Sequence, residues 1–359
     1  MTDSSYIPDL GPAVPVPVVS LSPDRWRNGV IVRATNWLGD AVMTLPAVYR
    51  LRRHLPRGCG LFVLTPRNLA SLWRAVDWVD DVVTFPGKRV TRSAAGRVRA
   101  LNPGVGVVLP NSFGSALDLV RCGVGTRIGR RGNGRSWLLT HRLPAWKHAE
   151  LSGRHQTAWH LCLAATLGEV PWTADYPPLR GAPPGQVRDK LELISGRHWL
   201  AIAPGAAFGP AKQWPVESFT AVCEWWCGRG GGVVGVGTEA ERELVAQILD
   251  GFGASAVNAA GRTGLDELLT VLGTVDAVLA NDSGAMHLAA AAGGRGVAIF
   301  GSTDPVATGP VGGTWIVLRD VPECGPCFRR TCPRDDLPYE CLRRVSVASV
   351  CGALEELCP

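Results

Sequence analysis

Apolar residues along the chain fall into short continuous runs, separated by stretches in which they recur every three or four positions. VIVRA (30–34), LFVL (61–64), DVVTF (81–85) and GVVLP (106–110) read as buried strands. Ala41, Leu45, Val48 and Leu51 share one face of a helix from about Asp40 to His54, and another helix begins at Leu69. The proline-rich segment DYPPLRGAPPGQ (175–186) breaks the alternation and reads as a linker. The pattern then resumes with WLAIAPG (199–205), a helix over 216–227, GVVGVG (232–237) and a helix through 241–249. DAVLAN (276–281), a helix over 284–292, GVAIFG (296–301) and a last helix over 347–357 complete it.

Strands alternating with helices predict βαβ units and parallel sheets. The expectation is an α/β protein of two doubly wound, Rossmann-like halves. A loose leader covers 1–28, a first domain 29–180, a linker 181–195 and a second domain 196–345. The helix over 346–359 is expected to pack back on the first domain. Ligands of such sheets bind outside the carboxyl ends of the strands, so a cleft between the two sheets is the expected site.

Composition supports this reading. A chain of 359 residues suits two domains, and 46% hydrophobic with 19% charged residues marks a folded chain with ample core. No apolar run reaches the roughly 18 residues of a membrane span. The N-terminal stretch lacks a basic region and is interrupted by prolines, so it does not read as a signal peptide, and a cytoplasmic location is expected. The net charge of +6 is modest, and no nucleic-acid partner is expected.

Candidate chemistry lies where strands end. NDSGAMH (281–287) follows an apolar strand and opens an alanine-rich helix; the amides of Ser283, Gly284, Ala285 and Met286 suit a diphosphate, unless Asp282 or Ser283 is an ordinary cap. APGAAFGPAKQWP (203–215) is placed likewise, with small residues for close approach and Lys212 as a cation. Thr238 and Glu241 can reach a nucleotide ribose or form an exposed helix start. Asp40, in NWLGDAV (36–42), is locally a helix cap. Competing motifs are missing: no GxxxxGK[ST], HExxH or GxSxG occurs, and His155 and His160 read as structural.

Six blocks in order carry a resemblance: NWLGDAVMTLPAVYRLRR, LPNSFGSAL, RIGRRGNGRSWLLTHRLP, APGAAFGPAKQWP, NDSGAMHLAAA and FGSTDPVATGP. Over roughly residues 29–350 the chain resembles the ADP-heptose:lipopolysaccharide heptosyltransferases of glycosyltransferase family 9, nearest the heptosyltransferase II branch. The resemblance implies a GT-B fold, with the acceptor bound mostly by the first half and ADP-heptose by the second. It implies inversion at the anomeric carbon without a required catalytic metal or other cofactor. Asp40 aligns with the family's general base and Lys212 with a lysine on the donor diphosphate. Asp282, Ser283, Gly284 and His287 match the donor-binding block, with Glu241 as a ribose ligand. The acceptor is then a heptosyl–Kdo–lipid A inner core, for which Asn111 and Ser112 offer hydrogen bonds.

Between Arg121 and His155 the chain carries eight basic residues, Arg121, Arg127, Arg130, Arg131, Arg135, Arg142, Lys147 and Arg154, against the single acid Glu150. The run is either a solvated face or a surface that steers the anionic acceptor through residues such as Arg127, Arg130 and Arg131, or holds the protein at the inner leaflet. Four of eleven cysteines cluster as C-x2-C-x4-C-x8-C: Cys324, Cys327, Cys332 and Cys341. Three readings stay open: a structural zinc or iron–sulfur site, reduced thiols, or a redox switch.

Overall fold

A computed structural model describes residues 6–19, 28–143 and 153–359, which divide into two units. Lys147 and Glu150 of the basic run lie outside the described residues.

The first unit spans residues 9–176. Its elements run β1 (Val30–Arg33), α1 (Leu38–Met43), α2 (Leu45–His54), β2 (Leu61–Pro66), α3 (Ala70–Arg74), β3 (Asp81–Phe85) and α4 (Arg92–Leu101). They continue with β4 (Val105–Val108), α5 (Phe113–Arg121), β5 (Thr126–Arg130), β6 (His141–Leu143) and α6 (Gln156–Ala165). The six strands are all parallel, in the order β3-β2-β1-β4-β5-β6. Ile31, Leu64, Val83, Val108, Leu119 and Leu139 lie in its core.

The second unit holds residues 177–359 with the N-terminal residues through Pro8. It contains α7 (Pro184–Leu191), β7 (Trp199–Ala203), α8 (Val216–Cys227), β8 (Gly232–Gly235), α9 (Arg242–Ile248), β9 (Ala256–Asn258) and α10 (Leu265–Thr274). Then come β10 (Ala277–Asn281), α11 (Gly284–Ala291), β11 (Arg295–Phe300), α12 (Pro305–Thr308), β12 (Thr314–Arg319), α13 (Glu340–Arg343) and α14 (Val347–Leu357). Its parallel strands are ordered β12-β11-β10-β7-β8-β9, the same topology. The inner strands β1, β4, β7, β8 and β10 are buried along their whole length, which is why they are continuous apolar runs. The expected α/β class with two Rossmann-like sheets is therefore present. Strand order reverses between β1 and β4, and between β7 and β10.

Four expectations are corrected. The single helix over 40–54 is two, because Pro46 has no N–H to give and crowds the preceding turn, and the Thr44 hydroxyl bonds the Ala41 carbonyl at 2.6 Å. The expected linker 181–195 contains α7, whose Val187 and Leu191 are buried and which packs on α10. The leader is not loose where it is described: Tyr6 N–H bonds the Trp315 carbonyl, Leu10 is buried, and the Val19 N–H donates to Thr166 at 2.7 Å. The C-terminal helix α14 belongs to the second unit, where Val350, Ala353, Leu354 and Leu357 join Leu279, Val297 and Ile299 in the core.

His160 on α6 is buried, its Nδ1 makes no hydrogen bond, and burial with the nearby Arg130 charge pushes its pKa down to about 3. The unfolded chain, with an ordinary value of about 6.5, therefore takes up the proton first as pH falls. Stability is full above about pH 6.5 and drops by about 1.4 kcal/mol per unit below it. Between pH 7 and pH 5, urea unfolding of the wild type is expected to lose about 2 kcal/mol more than that of His160→Gln. Parallel pH profiles would show that His160 does not titrate this way.

Candidate functional site

In the second unit, the loops after β7 and β10 flank the reversal of strand order, where ligands of open α/β sheets bind. Asn281, at the end of β10, is fully buried and ties these loops together. Its Nδ2 donates to the Pro204 carbonyl at 2.7 Å, and its Oδ1 accepts from Trp214 N–H at 3.1 Å. Trp214 is itself anchored, its indole N–H donating to the Val345 carbonyl at 3.0 Å and its ring edge-on to Phe219. Between these anchors a short 3₁₀ turn, Pro210–Lys212, presents Lys212. Gly209 precedes it with φ of 144°, and a Cβ there would lie 2.6 Å from the Arg330 carbonyl oxygen. Only glycine fits that approach.

Lys212 Nζ meets Asp282 Oδ2 at 2.5 Å, and the two side chains are 14% and 4% exposed. The same carboxylate oxygen accepts from the Thr303 hydroxyl at 2.6 Å, and the ammonium lies 5.0 Å from the Phe208 ring centroid. Ser283 is the N-cap residue of α11, but its Oγ is buried and makes no hydrogen bond there. A second orphaned hydroxyl, Ser302 Oγ, follows β11. Gly284, Ala285 and Met286 open the helix, and their amides have no intrahelical partners. The result is a buried cation, a helix start and unpaired hydroxyls at one sheet edge, a chemistry suited to an anion. His287 lies buried one turn into α11. Glu241 reaches back over Gly205 and accepts from the Thr238 N–H and hydroxyl at 2.7 and 2.9 Å, so its carboxylate closes a capping box.

In the first unit, the loops after β1 and β4 flank the corresponding reversal. Arg33, at the end of β1, is buried. Its Nε donates to Asp118 Oδ2 on α5 at 3.0 Å, one Nη donates to Asn36 Oδ1 at 3.0 Å, and the guanidinium lies 4.6 Å from the Phe85 ring centroid. This buried ion pair fixes the turn through Asn36. Asp40 follows as a half-buried residue in the first turn of α1, where its charge favours the helix start. It is not the cap, since Trp37 holds that position. Asn111 is exposed after β4, and Ser112 caps α5, its hydroxyl accepting from Ser115 N–H at 3.2 Å.

With these two edges described, the comparisons decide the family. The profile of glycosyltransferase family 9 (heptosyltransferase) matches residues 93–337, more than half of the chain. The chain belongs to glycosyltransferase family 9. It is thus a glycosyltransferase. It is 28% identical over 316 residues to the Escherichia coli lipopolysaccharide heptosyltransferase 2, a match covering 81% of this chain and 87% of that one. The Haemophilus influenzae lipooligosaccharide heptosyltransferase 2 is 26% identical over 309 residues, covering 81% and 88%. The solved structure of the E. coli ADP-heptose lipopolysaccharide heptosyltransferase II superposes with a TM-score of 0.78 at 26% identity, covering 92% of this chain and 98% of that one. No helix among the described residues is long and apolar enough to cross a membrane.

The four cysteines of this family 9 member do come together, lining one small cavity with Ala211 and Ser302. Their loop also braces the Lys212 turn: Phe328 N–H donates to the Ser302 carbonyl at 2.7 Å, and Arg330 Nε donates to the Phe208 carbonyl at 2.6 Å. The spacing leaves a structural metal, reduced thiols and a redox switch open. Among the described residues no three His, Cys, Asp or Glu side chains are arranged to hold a metal ion. The Arg334 guanidinium, paired with Asp336 and Glu340, lines the same cavity as the thiols.

The basic run also separates. Arg127 donates to the Leu138, Val124 and Gly125 carbonyls, and Arg130 lies largely inside, 4.8 Å from the Trp159 ring centroid, with burial pulling its pKa down to about 10. Arg135 is wholly buried. A uniformly solvated face is therefore corrected to exposed cations at Arg121, Arg131 and Arg142, with Arg127 and Arg135 satisfying loop carbonyls and Arg130 set against the Trp159 ring. Sequence reasoning gave no role to Arg33, Asn281 or Thr303 and read Arg135 only as one cation of the basic run. Thr303 stands in the FGSTDP block, which was the only signal for it.

Proposed function

We propose that this protein transfers heptose from ADP-L-glycero-β-D-manno-heptose to the heptosyl–Kdo–lipid A inner core of lipopolysaccharide, with inversion. The observation that carries the reading is the Lys212–Asp282–Thr303 cluster at the start of α11, set on a chain 26% identical to a solved ADP-heptose lipopolysaccharide heptosyltransferase. In the mechanism, Asp40 takes the proton from an acceptor hydroxyl as that oxygen attacks the anomeric carbon. The bond from that carbon to the diphosphate oxygen breaks, and ADP leaves with the electron pair. Lys212 and the amides of Gly284 to Met286 neutralise the developing charge. As Lys212 turns to the diphosphate, Asp282 is released to accept hydrogen bonds from the sugar, and Glu241 lies where a ribose hydroxyl can replace Thr238. Ser283 supplies an unpaired hydroxyl for the phosphates. No step calls on a metal.

The first unit takes the acceptor through Asn111 and Ser112. The exposed Arg121, Arg131 and Arg142 attract its anionic groups, each contributing about 1 kcal/mol near an anionic surface. We infer a cytoplasmic enzyme, peripheral on the inner face of the membrane, a reading these exposed arginines support. The test is incubation with ADP-heptose and inner-core acceptors, read by mass spectrometry for the addition of one heptose. Product formed only with a different sugar nucleotide or acceptor would favour another family 9 transfer, and ADP binding without any product would favour a silent binding protein.

A further inference from the structure

Three large aromatic side chains stand exposed on loops at the carboxyl edge of the first unit's sheet. Trp37 follows β1, Phe113 opens α5 after β4, and Trp137 lies between β5 and β6, on loops that follow three neighbouring strands. Trp137 is 69% exposed, yet it is not a loose surface residue. Its ring centroid lies 6.0 Å from that of Phe113, with the planes tilted by 51°.

The backbone beneath the pair is fastened. Arg135 has no exposed surface; its Nε donates to the Arg130 carbonyl at 3.0 Å, and one Nη donates to the Pro110 carbonyl and, at 3.5 Å, to that of Ser112. The Asn133 side chain donates to the Asn111 carbonyl, tying the same two loops a second time. The other Nη of Arg135 is buried without a hydrogen bond. Arg89 packs over Gly114 beside Phe113: a Cβ on Gly114 would lie 2.1 Å from its guanidinium.

Exposed aromatic rings held rigidly beside amide and guanidinium donors suit a ligand with one apolar face and a polar rim. A pyranose ring has that character, since its C–H bonds form one face and its hydroxyls the edge. Here the residues alongside are Asn111, Ser112 and Asn133, which argues for sugar.

We propose that Phe113 and Trp137 form a stacking platform for a saccharide ring of the anionic acceptor, with Asn111 binding its hydroxyls and Arg135 positioning the two loops. Trp37, on the loop carrying Asp40, extends the same rim. The proposal rests on the glycosyl-transfer reading and names what the acceptor side recognises.

The probe is a water-soluble, deacylated heptosyl–Kdo oligosaccharide, used with the full chain. Trp137→Ala and Phe113→Ala are each expected to raise the acceptor KM about five- to ten-fold, with kcat and donor KM within two-fold of wild type. Trp137→Phe keeps a ring and is expected to recover most of the loss. Both exposed positions should leave the melting temperature unchanged, which separates a binding role from a structural one. In parallel, quenching of tryptophan fluorescence by the oligosaccharide should disappear in Trp137→Ala. If wild type binds the oligosaccharide but transfers nothing, the function proposed above fails while the platform stands on the titration. An unchanged acceptor KM and unchanged quenching in Trp137→Ala would overturn the platform. So would a loss of binding to phosphatidylglycerol vesicles without a change in either, since that outcome assigns the rings to the membrane.

Discussion

Asp40→Ala is expected to abolish heptose transfer while leaving ADP affinity within a few-fold of wild type. Three features make this a selective loss. Asp40 lies in the first turn of α1 and not at its cap, so replacing it removes a favourable charge without removing the residue that starts the helix. The turn before it is held by the bonds of Arg33 to Asp118 and Asn36, and all three residues stay in the variant. ADP, in turn, is assigned to the second unit's loops at Lys212 and Ser283, outside the unit that carries Asp40. On the proposed mechanism, what is lost is the carboxylate that accepts the acceptor proton, and a positioned general base contributes about 10²–10⁴-fold. Initial rates at saturating donor and acceptor, with ADP affinity by calorimetry, give the two numbers needed. A variant that keeps more than about a tenth of the wild-type rate cannot have lost its base, and the assignment would pass to another residue.

Legibility in the sequence followed burial. Strands flanked by helices on both faces, such as Val30–Arg33 and Ala277–Asn281, carry continuous apolar runs and were readable within a residue or so. β5 and β9 were not: Thr126–Arg130 has a single large apolar residue, Ile128, within a run of arginines, and Ala256–Asn258 is only half-buried. α7 was hidden by the prolines around it, although Pro184 at its first turn is compatible with a helix. The candidate site was legible as a set of loops at strand ends, because glycines and small polar residues mark those turns. Its internal wiring was not. Arg33 pairs with a residue 85 positions away and Lys212 with one 70 positions away, and no local pattern announces such a contact. The arginines of the basic run misled for a related reason, since a guanidinium that satisfies loop carbonyls has the same sequence signature as one in solvent.

That hidden pairing changes what loss of Lys212 should do. Lys212→Met is expected to weaken ADP binding about ten- to hundred-fold and to slow transfer, as removal of a charge-assisted contact to the diphosphate predicts. In the absence of donor, however, the lysine neutralises Asp282, which is 4% exposed and otherwise bonded through that oxygen to the Thr303 hydroxyl. Stranding a buried carboxylate costs about 3–5 kcal/mol, so the single variant should also melt at a lower temperature. Adding Asp282→Asn removes the stranded charge while keeping an acceptor oxygen for Thr303. The double variant is therefore expected to recover stability without recovering ADP affinity. Calorimetric titration with ADP and thermal unfolding on the same three proteins separate the two effects. Unchanged ADP affinity in Lys212→Met would remove the lysine from the diphosphate. Wild-type affinity in the double variant would show that the unpaired carboxylate, not the missing cation, had repelled the nucleotide. The expected outcome is neither, because in the proposed mechanism the ammonium that holds Asp282 before the donor arrives is the group the diphosphate captures, freeing Asp282 for the sugar.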